Sequence, residues 1–371
     1  MQEIKKQPDI VIASVLKPVD DTRMLEKMGR SLIEKNQGHV HLIGFGSDGP
    51  PDKKNLSFHP LGRFRRISLA RVLAPFRVFQ KLLVIRSKIV IINTHELLFV
   101  AVVYRILYGA KIYYDIRENY FLNILNTNSF PAWISPLVAF YVRYKEWVTS
   151  PFINHYLLAE ACYVHELGFI GKHYSVVENK CRLPDGFVRV PQSGKIKLLF
   201  SGTLDASTGI FESIDLVKKL HSLSSLISLT IIGYCALPPI QKKIMDCIEG
   251  CTYISVIGLT DLVPHHRIFG EIATATAGLV FYPLSPHNQN CIPTKLYEYL
   301  ACRLPVLYDY GASWAHIPEV ANAGIGIDFY QPDVSKILKV LQEERFYPSQ
   351  QKVDATWSSE EKKFLKAIHS S

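Results

Sequence analysis

Short apolar runs alternate along the chain with longer stretches in which apolar residues recur at helical spacing. In the first half, the short runs predict strands at 10–14, 40–44, 89–93, 112–115, 155–158 and 175–178. The longer stretches predict helices at 22–34, 97–107 and 133–148. Strands that alternate with helices are typical of parallel sheets covered by helices. The expected fold class is therefore α/β.

The same alternation restarts after a break. Residues 180–195 carry two prolines, two glycines and mixed charge but no apolar periodicity, which predicts a linker. Beyond it, the pattern predicts strands at 197–201, 228–232, 253–257, 277–282 and 305–308, and helices at 210–221, 238–249 and 294–301. The predicted organisation is one Rossmann-like domain at 1–179, a second at 196–348, and an extension at 349–371 that ends in a helix at 358–368.

Length and composition agree with two globular domains. The chain has 371 residues, of which 48% are hydrophobic and 20% charged, so a disordered protein is excluded. The first apolar run spans only about six residues, which is too short for a signal-peptide core or a membrane span. The seven cysteines form no Cys-x-x-Cys pair and have no nearby histidine pair at zinc spacing. We therefore expect reduced thiols in a cytoplasmic protein, and no metal site.

The net charge of +9 predicts an acidic partner, such as nucleic acid, an anionic membrane surface or a phosphorylated small molecule. Many of the positive charges crowd into one stretch, at Arg63, Arg65, Arg66, Arg71, Arg77, Lys81, Arg86 and Lys88. Apolar residues between them have helical spacing, which predicts a basic amphipathic helix over 64–88. Such a helix either lies on an anionic membrane, with Phe76, Phe79, Leu82 and Leu83 entering it, or packs against its own sheet. No RNA or DNA motif accompanies it, so nucleic acid is the weakest of the three partners.

The second half carries the clearest candidate for ligand chemistry. A polar loop meets Pro293, and a helix with apolar periodicity follows. The free amides of its first turn and the charge of Lys295 suit a diphosphate. Glu298 lies one turn further on, where its carboxylate could accept hydrogen bonds from two ribose hydroxyls. The alternative is an ordinary surface helix.

The run PTKLYEYLACRLPV resembles the nucleotide-sugar motif of the retaining GT-B glycosyltransferases of family four. Ala301, Cys302, Pro305 and Val306 match the end of that motif, and Glu298 matches its second glutamate. Asn290 holds the place of the first glutamate, and Arg303 that of a glycine.

The run LLFSGTLDASTG at 198–209 resembles the strand and turn that open the family's carboxy-terminal domain. Gly202 would allow the backbone to approach a donor closely. Thr203 and Thr208 stand where the family usually carries an arginine and a lysine.

Polar groups in the first half follow predicted strands. Asp20, Asp21 and Arg23 lie between the first strand and first helix, where family members have an acceptor-side loop. The two aspartates are adjacent, so they form no Asp-x-Asp metal motif, and Asp21 or, preferably, Thr22 could simply cap the helix. His95 and Arg117 follow two further strands, at strand ends that carry polar residues around the reacting sugar in the family.

The resemblance implies a GT-B fold, with two Rossmann-like domains facing each other across a cleft. It also implies transfer of a hexosyl group from a nucleotide diphosphate sugar to an acceptor, with retained configuration and without cofactor or metal. Lys295 would bind the diphosphate and Glu298 the ribose, and His95, Arg117 and Asn290 would surround the reacting centre. With the basic helix on the inner face of the membrane, the expected acceptor is lipid-linked, as in polysaccharide or cell-surface glycan synthesis.

Two other functions remain open. Sugar-nucleotide epimerases share this architecture and would convert the donor without any acceptor. A catalytically silent GT-B module, acting as a partner subunit, would fit the replaced arginine, lysine and first glutamate.

Overall fold

A computed structural model describes residues 9–46, 51–64, 68–127, 130–190, 194–343, 345–348 and 353–370. The chain divides into two compact units, Met1–Asn179 with Trp357–Ser371, and Lys180–Thr356. The first unit therefore ends its main stretch at residue 179, where the first predicted domain also ends.

The first unit is built on a seven-stranded parallel sheet. Its strands are β1 (Ile10–Pro18), β2 (Val40–Phe45), β3 (Leu56–Pro60), β4 (Ile89–Ile92), β5 (Lys111–Ile116), β6 (His155–Leu158) and β7 (Tyr174–Val176). They are arranged in the order β3-β2-β1-β4-β5-β6-β7. The central strands are buried on both faces, which explains why they read as continuous apolar runs.

The helices of the first unit begin with a π-helical segment, Arg23–Gly29, which continues directly into α1 (Arg30–Glu34). The others are α2 (Leu69–Ile85), α3 (Leu98–Tyr108), α4 (Tyr120–Asn126), α5 (Ser135–Thr149) and α6 (Tyr163–Glu166). The carboxylate of Asp21 accepts hydrogen bonds from the amides of Arg23 and Met24. Thr22 makes no such bond, so Asp21 caps this helix and the preference for Thr22 is corrected.

The second unit repeats this plan with a six-stranded parallel sheet. Its strands are β8 (Ile196–Thr203), β9 (Ile227–Tyr234), β10 (Ile254–Leu259), β11 (Ala277–Val280), β12 (Val306–Asp309) and β13 (Gly324–Ile327). Their order is β10-β9-β8-β11-β12-β13. The helices are α7 (Ile210–Leu223), α8 (Pro238–Ile248), α9 (His265–Thr274), α10 (Thr294–Ala301), α11 (His316–Val320) and α12 (Val334–Glu343).

The last helix, α13 (Trp357–Ser370), packs into the first unit and not into the second. Its Trp357 indole donates a hydrogen bond of 2.9 Å to the Ser31 hydroxyl, and Phe364 is fully buried. The hydroxyl of Tyr113 on β5 donates to the carbonyl of Ile368. The predicted extension is therefore, from Trp357 onward, a part of the first unit's core.

The stretch predicted as a linker belongs to the second unit, as far as it is described. The amide of Cys181 donates to the carbonyl of Ala355, and the Arg189 guanidinium donates to the carbonyls of Ala275 and Arg303. These contacts hold the segment on the second unit although it lacks apolar periodicity.

The predicted α/β class is confirmed, because both sheets have the 3-2-1-4-5-6 strand order of a Rossmann fold. No helix in the described part of the chain is both long and apolar enough to cross a membrane.

Candidate active site

Each sheet has a topological switch point, where the strand order reverses direction. It lies between β1 and β4 in the first unit and between β8 and β11 in the second. Ligands of open parallel sheets bind beyond the carboxyl ends of the strands at this point. In the second unit, β8 ends with Gly202 and Thr203, and a loop at 281–293 leads from β11 into α10. The donor-binding residues predicted from sequence therefore lie on the two elements that flank the switch point.

Three glycines form a row at the carboxyl ends of neighbouring strands. Gly233 on β9 pairs with Gly202 on one side and with Gly258 of β10 on the other. A Cβ atom on Gly233 would overlap the Gly202 carbonyl oxygen, and one on Gly258 would overlap the Gly233 carbonyl oxygen. Because none of the three residues has a side chain, only main-chain atoms line this edge of the sheet. Sequence analysis identified only Gly202, although all three glycines end apolar runs.

Lys295 lies against this row, because a Cβ on Gly202 would be 3.9 Å from its Cε atom. The side chain is buried, and its Nζ has no hydrogen-bond partner among the described residues. It lies 3.7 Å from the ring centroid of Phe200 and 5.1 Å from that of Tyr282. Burial lowers the pKa of Lys295 to about 7, against the opposing charge of Glu298. A buried ammonium without a bonded partner is a ready site for an anion.

Glu298 makes a contact that sequence analysis did not predict. Its Oε1 atom lies 2.8 Å from Nε2 of His265, the first residue of α9. The two residues are 33 positions apart, so no local pattern could have joined them. The histidine fixes the orientation of the carboxylate for which sequence analysis predicts contact with a ribose.

The other donor-side candidates are Thr203 and Asn290, both of which are exposed. Thr203 directly follows Gly202, and its carbonyl accepts a hydrogen bond from the Thr208 hydroxyl. Thr208 is buried and closes a capping box with Asp205, so it serves the turn itself. Asn290 lies in the loop that precedes α10, five residues before Lys295.

In the first unit, two arginine–aspartate pairs join the segment after β1 to the carboxyl end of β5. The Nη1 and Nη2 atoms of Arg117 donate to the two carboxylate oxygens of Asp21, at 2.7 and 3.2 Å. The neighbouring Asp20 is exposed. Burial alone would raise the pKa of Asp21, but the Arg117 guanidinium holds it at about 2. The pair is therefore ionised throughout the physiological range.

The second pair corrects the prediction for Arg23. This side chain is fully buried, with 2.7 Å between its Nη2 and Oδ1 of Asp115, and it also donates to the carbonyl of Val177. A guanidinium without solvent access cannot contact an acceptor, so Arg23 is a structural residue that joins the first helical segment to β5 and to the residue after β7.

His95 follows β4, at the switch point of the first sheet. Its Nδ1 atom lies 2.9 Å from Nζ of Lys145, and its ring meets Tyr120 edge-on at 4.7 Å. Burial lowers the pKa of His95 to about 4, so the ring is neutral and accepts a hydrogen bond from the Lys145 ammonium. Glu96, beside it, is bound to Arg71 at 2.7 Å. His95 is thus held in place by Lys145 of α5 and Tyr120 of α4, while Arg71 of α2 holds the neighbouring Glu96.

Two further observations bear on the chemistry. Among the described residues, no three His, Cys, Asp or Glu side chains are grouped as a metal site requires.

A cavity of about 650 Å³ in the second unit is lined by Phe187, Arg189 and Tyr347, together with residues that precede β11 and β12. It therefore lies at the amino ends of those strands and not at the switch point.

No protein-family model matches the sequence, and no curated protein matches it. Solved structures do resemble the chain in fold. The HepE protein of Anabaena, in complex with UDP and glucose, aligns over 97% of this chain and 95% of its own, with a TM-score of 0.63 and 12% identity. Sucrose-phosphate synthase of Thermosynechococcus elongatus aligns over the same shares, with a TM-score of 0.67 and 11% identity. The chain has the GT-B fold.

The glycosyltransferase WaaG, involved in lipopolysaccharide biosynthesis, also aligns over 97% of this chain and 95% of its own, with a TM-score of 0.64 and 12% identity. The GT-B prediction is thereby confirmed at the level of fold. Identities this low carry no information on substrate.

Proposed function

We propose that the chain transfers a sugar from a nucleotide diphosphate sugar to an acceptor hydroxyl. The observation that carries this proposal is Lys295, a buried ammonium without a hydrogen-bond partner among the described residues, beside Gly202 at the switch point. A diphosphate supplies the negative charge that this position lacks. As the sugar leaves, charge develops on the diphosphate, and a fixed cation stabilises it most at that moment.

A protein with the same fold binds this class of ligand. HepE was solved with UDP-glucose as well as with UDP and glucose, and it shares the fold of this chain. In our proposal, main-chain amides after Gly202 and Thr203 bind the phosphates together with Lys295. Glu298, oriented by His265, accepts hydrogen bonds from the ribose, and Asn290 contacts the sugar.

On the acceptor side, we propose roles for His95 and for the Asp21–Arg117 pair. A neutral His95 accepts from Lys145 at Nδ1, so its Nε2 carries the ring proton and could donate a hydrogen bond to a hydroxyl oxygen, whereas Arg117 keeps a charge under all conditions. Asp20 is exposed beside this pair and could bind acceptor hydroxyls. We further propose a hexosyl donor, retained configuration and no metal ion, with Lys295 supplying the positive charge.

We also propose that the acceptor is lipid-linked, in polysaccharide or cell-surface glycan synthesis, and that the enzyme works at the cytoplasmic face of a membrane. The support is the positive charge of α2, on which Arg77 and the flanking Arg86 are exposed. Arg65 and Arg66, which the same prediction included, lie outside the described residues.

A thermal-shift series with UDP, GDP, CMP and their sugars tests the proposal, because a ligand that binds only the folded state raises its melting temperature. We expect one nucleoside diphosphate and its sugar to stabilise the protein. Stabilisation by none of them would contradict donor binding and favour the silent module. Incubation with the nucleotide sugar alone distinguishes a transferase from an epimerase, because only an epimerase isomerises the sugar without an acceptor.

A further inference from the structure

The helices on one face of the first sheet expose an unusually apolar surface. α3 packs against both α2 and α5, so the three helices form one layer. Large apolar side chains are exposed on α5 and just before it, at Trp133, Leu137, Phe140, Tyr141, Tyr144, Trp147 and Val148. Those on α5 recur every three or four residues and form one continuous stripe along the helix.

The neighbouring helices extend this stripe. α3 exposes Phe99, Val103, Ile106 and Leu107, and α2 exposes Leu69, Val72, Leu73, Phe76 and Val84. No charged residue of α5 is exposed, because Lys145 and Glu146 are buried and Arg143 is half-buried. Soluble monomers rarely leave contiguous apolar patches beyond a few hundred Å² uncovered. We therefore expect this layer of helices to be covered by a binding partner.

Charge narrows the choice of partner. The exposed charged side chains of α2, α3 and their immediate flanks are all basic, at Arg77, Arg86, Lys88 and Lys111. Residues 68–152 contain few acidic side chains, and each of them is buried or paired with a basic residue. Asp115 and Glu146 are buried, Glu96 is paired with Arg71, and Glu118 is paired with Lys17. A second copy on this face would bring like charges together, whereas an anionic surface would be attracted.

We propose that the layer of α2, α3 and α5 is a docking surface for an anionic lipid bilayer, with the aromatic stripe of α5 at its centre. Trp and Tyr side chains prefer the headgroup region, where an apolar ring and a polar atom are both satisfied. The assignment changes the expected contacts of α2, since Leu82 and Val78 are buried against the unit and Phe79 is half-buried against Tyr104. Of the four residues predicted to enter the membrane, only Phe76 is exposed.

Vesicle binding tests this surface without any donor or acceptor. We expect the protein to cosediment with vesicles of phosphatidylcholine and phosphatidylglycerol in equal parts, and to be released by salt. Tyr144→Ser/Trp147→Ser should weaken this binding at least about tenfold, because it removes the apolar contact but no charge. The matched control is Met245→Ser/Val320→Ser in the second unit, where both side chains are exposed and binding should not change.

Tryptophan fluorescence supplies an independent readout. Trp133 and Trp147 are exposed, whereas Trp314 and Trp357 are buried. Brominated lipids in the vesicles should therefore quench part of the emission, and Trp147→Phe should reduce the quenched part while the protein stays bound.

Three results would overturn the proposal. One is a failure to bind anionic vesicles at low salt, and another is equal binding by wild type and the Tyr144→Ser/Trp147→Ser variant. The third is a dimer in lipid-free sedimentation that this variant dissociates, because a second copy would then cover the face. The proposal extends the membrane part of the proposed function, but vesicle binding by a protein that binds no nucleotide sugar would support the surface and contradict the transferase.

Discussion

At the scale of single residues, Lys295 carries a cost that the fold does not explain. A buried polar group without a partner lowers stability by about 1 to 3 kcal/mol, and a charged one by more. Phe200 and Tyr282 offer only ring faces to its ammonium. A ligand anion would turn this cost into binding energy.

We therefore predict opposite effects of Lys295→Met on stability and binding. The variant should gain about 1 to 3 kcal/mol in the free energy of unfolding of the second unit, because an apolar chain of similar length fills the site. The same variant should lose affinity for UDP-type ligands. Urea unfolding and calorimetry measure the two quantities. A less stable variant, or unchanged affinity, would assign Lys295 to the structure.

The pKa of Lys295 makes donor binding depend on pH. Its value of about 7 in the free protein means that the amine loses its charge as the pH rises above 7. Donor affinity should therefore fall between pH 7 and 9. The free energy of unfolding of the second unit should rise over the same range. The unfolded lysine holds its proton up to about pH 10.5 and the folded one does not, so the unfolded state binds more protons. Calorimetry across this range measures how donor affinity changes with pH, and Lys295→Met should remove this pH dependence.

Glu298 and His265 form a pair whose partner we propose to be a ribose. Glu298→Ala should weaken nucleotide binding, since a hydrogen bond to a charged group contributes about 1.5 to 3 kcal/mol. His265→Gln, which can still donate to the carboxylate, should lose less than His265→Phe. Dissociation constants for UDP and 2′-deoxy-UDP measure the effect. Equal losses for both ligands would argue against contact with the 2′-hydroxyl.

Sequence analysis could single out Lys295, Glu298 and Gly202 as candidates because the first two belong to one continuous motif and the third ends a recognisable apolar strand. It could not find His265, whose contact with Glu298 joins positions 33 residues apart. It placed Arg23 in the acceptor-side loop by family resemblance, and only the fold shows the side chain buried against Asp115.

At the scale of secondary-structure elements, the glycine row depends on close strand ends. Gly233→Ala should lower the stability of the second unit by at least about 2 kcal/mol, because the new methyl group would overlap the Gly202 carbonyl and push β8 from β9. Gly270→Ala on α9 is the matched control, since a methyl group there would meet no atom within 4 Å beyond its own helix backbone, and alanine favours a helix. Chemical unfolding of both variants measures the difference. Equal stability would contradict this packing.

Strongly apolar elements could be predicted from sequence, and weakly patterned ones could not. β1, β4, β8 and β9 read as apolar runs because both their faces are covered. The edge strands β3 and β13 have the sequences LSFHP and GIGI, in which polar residues or glycines hide the strand. α9 begins with two histidines and contains Gly270, so its periodicity is diluted. α2 was predicted as a helix, but only the fold shows that Leu82 faces inward.

At the scale of the whole molecule, each of the two units has its own apolar core. The first unit is completed by α13, which returns from the end of the chain. Sequence periodicity predicted this helix but not its partner, because nothing in a local pattern records which of two similar units a helix joins. Ligand binding and core substitutions should therefore affect the units separately.

We predict that Phe364→Ala destabilises only the first unit, although the residue lies after the whole of the second in sequence. Loss of a fully buried phenylalanine costs about 3 to 5 kcal/mol. Leu220→Ala, in the core of the second unit, is the reciprocal control, and UDP should protect only that unit. Hydrogen exchange, resolved by peptide, should show faster exchange in β1, β5 and α1 for Phe364→Ala, and in β8, β9 and α7 for Leu220→Ala. Faster exchange throughout the chain in either variant would mean that the two cores unfold as one.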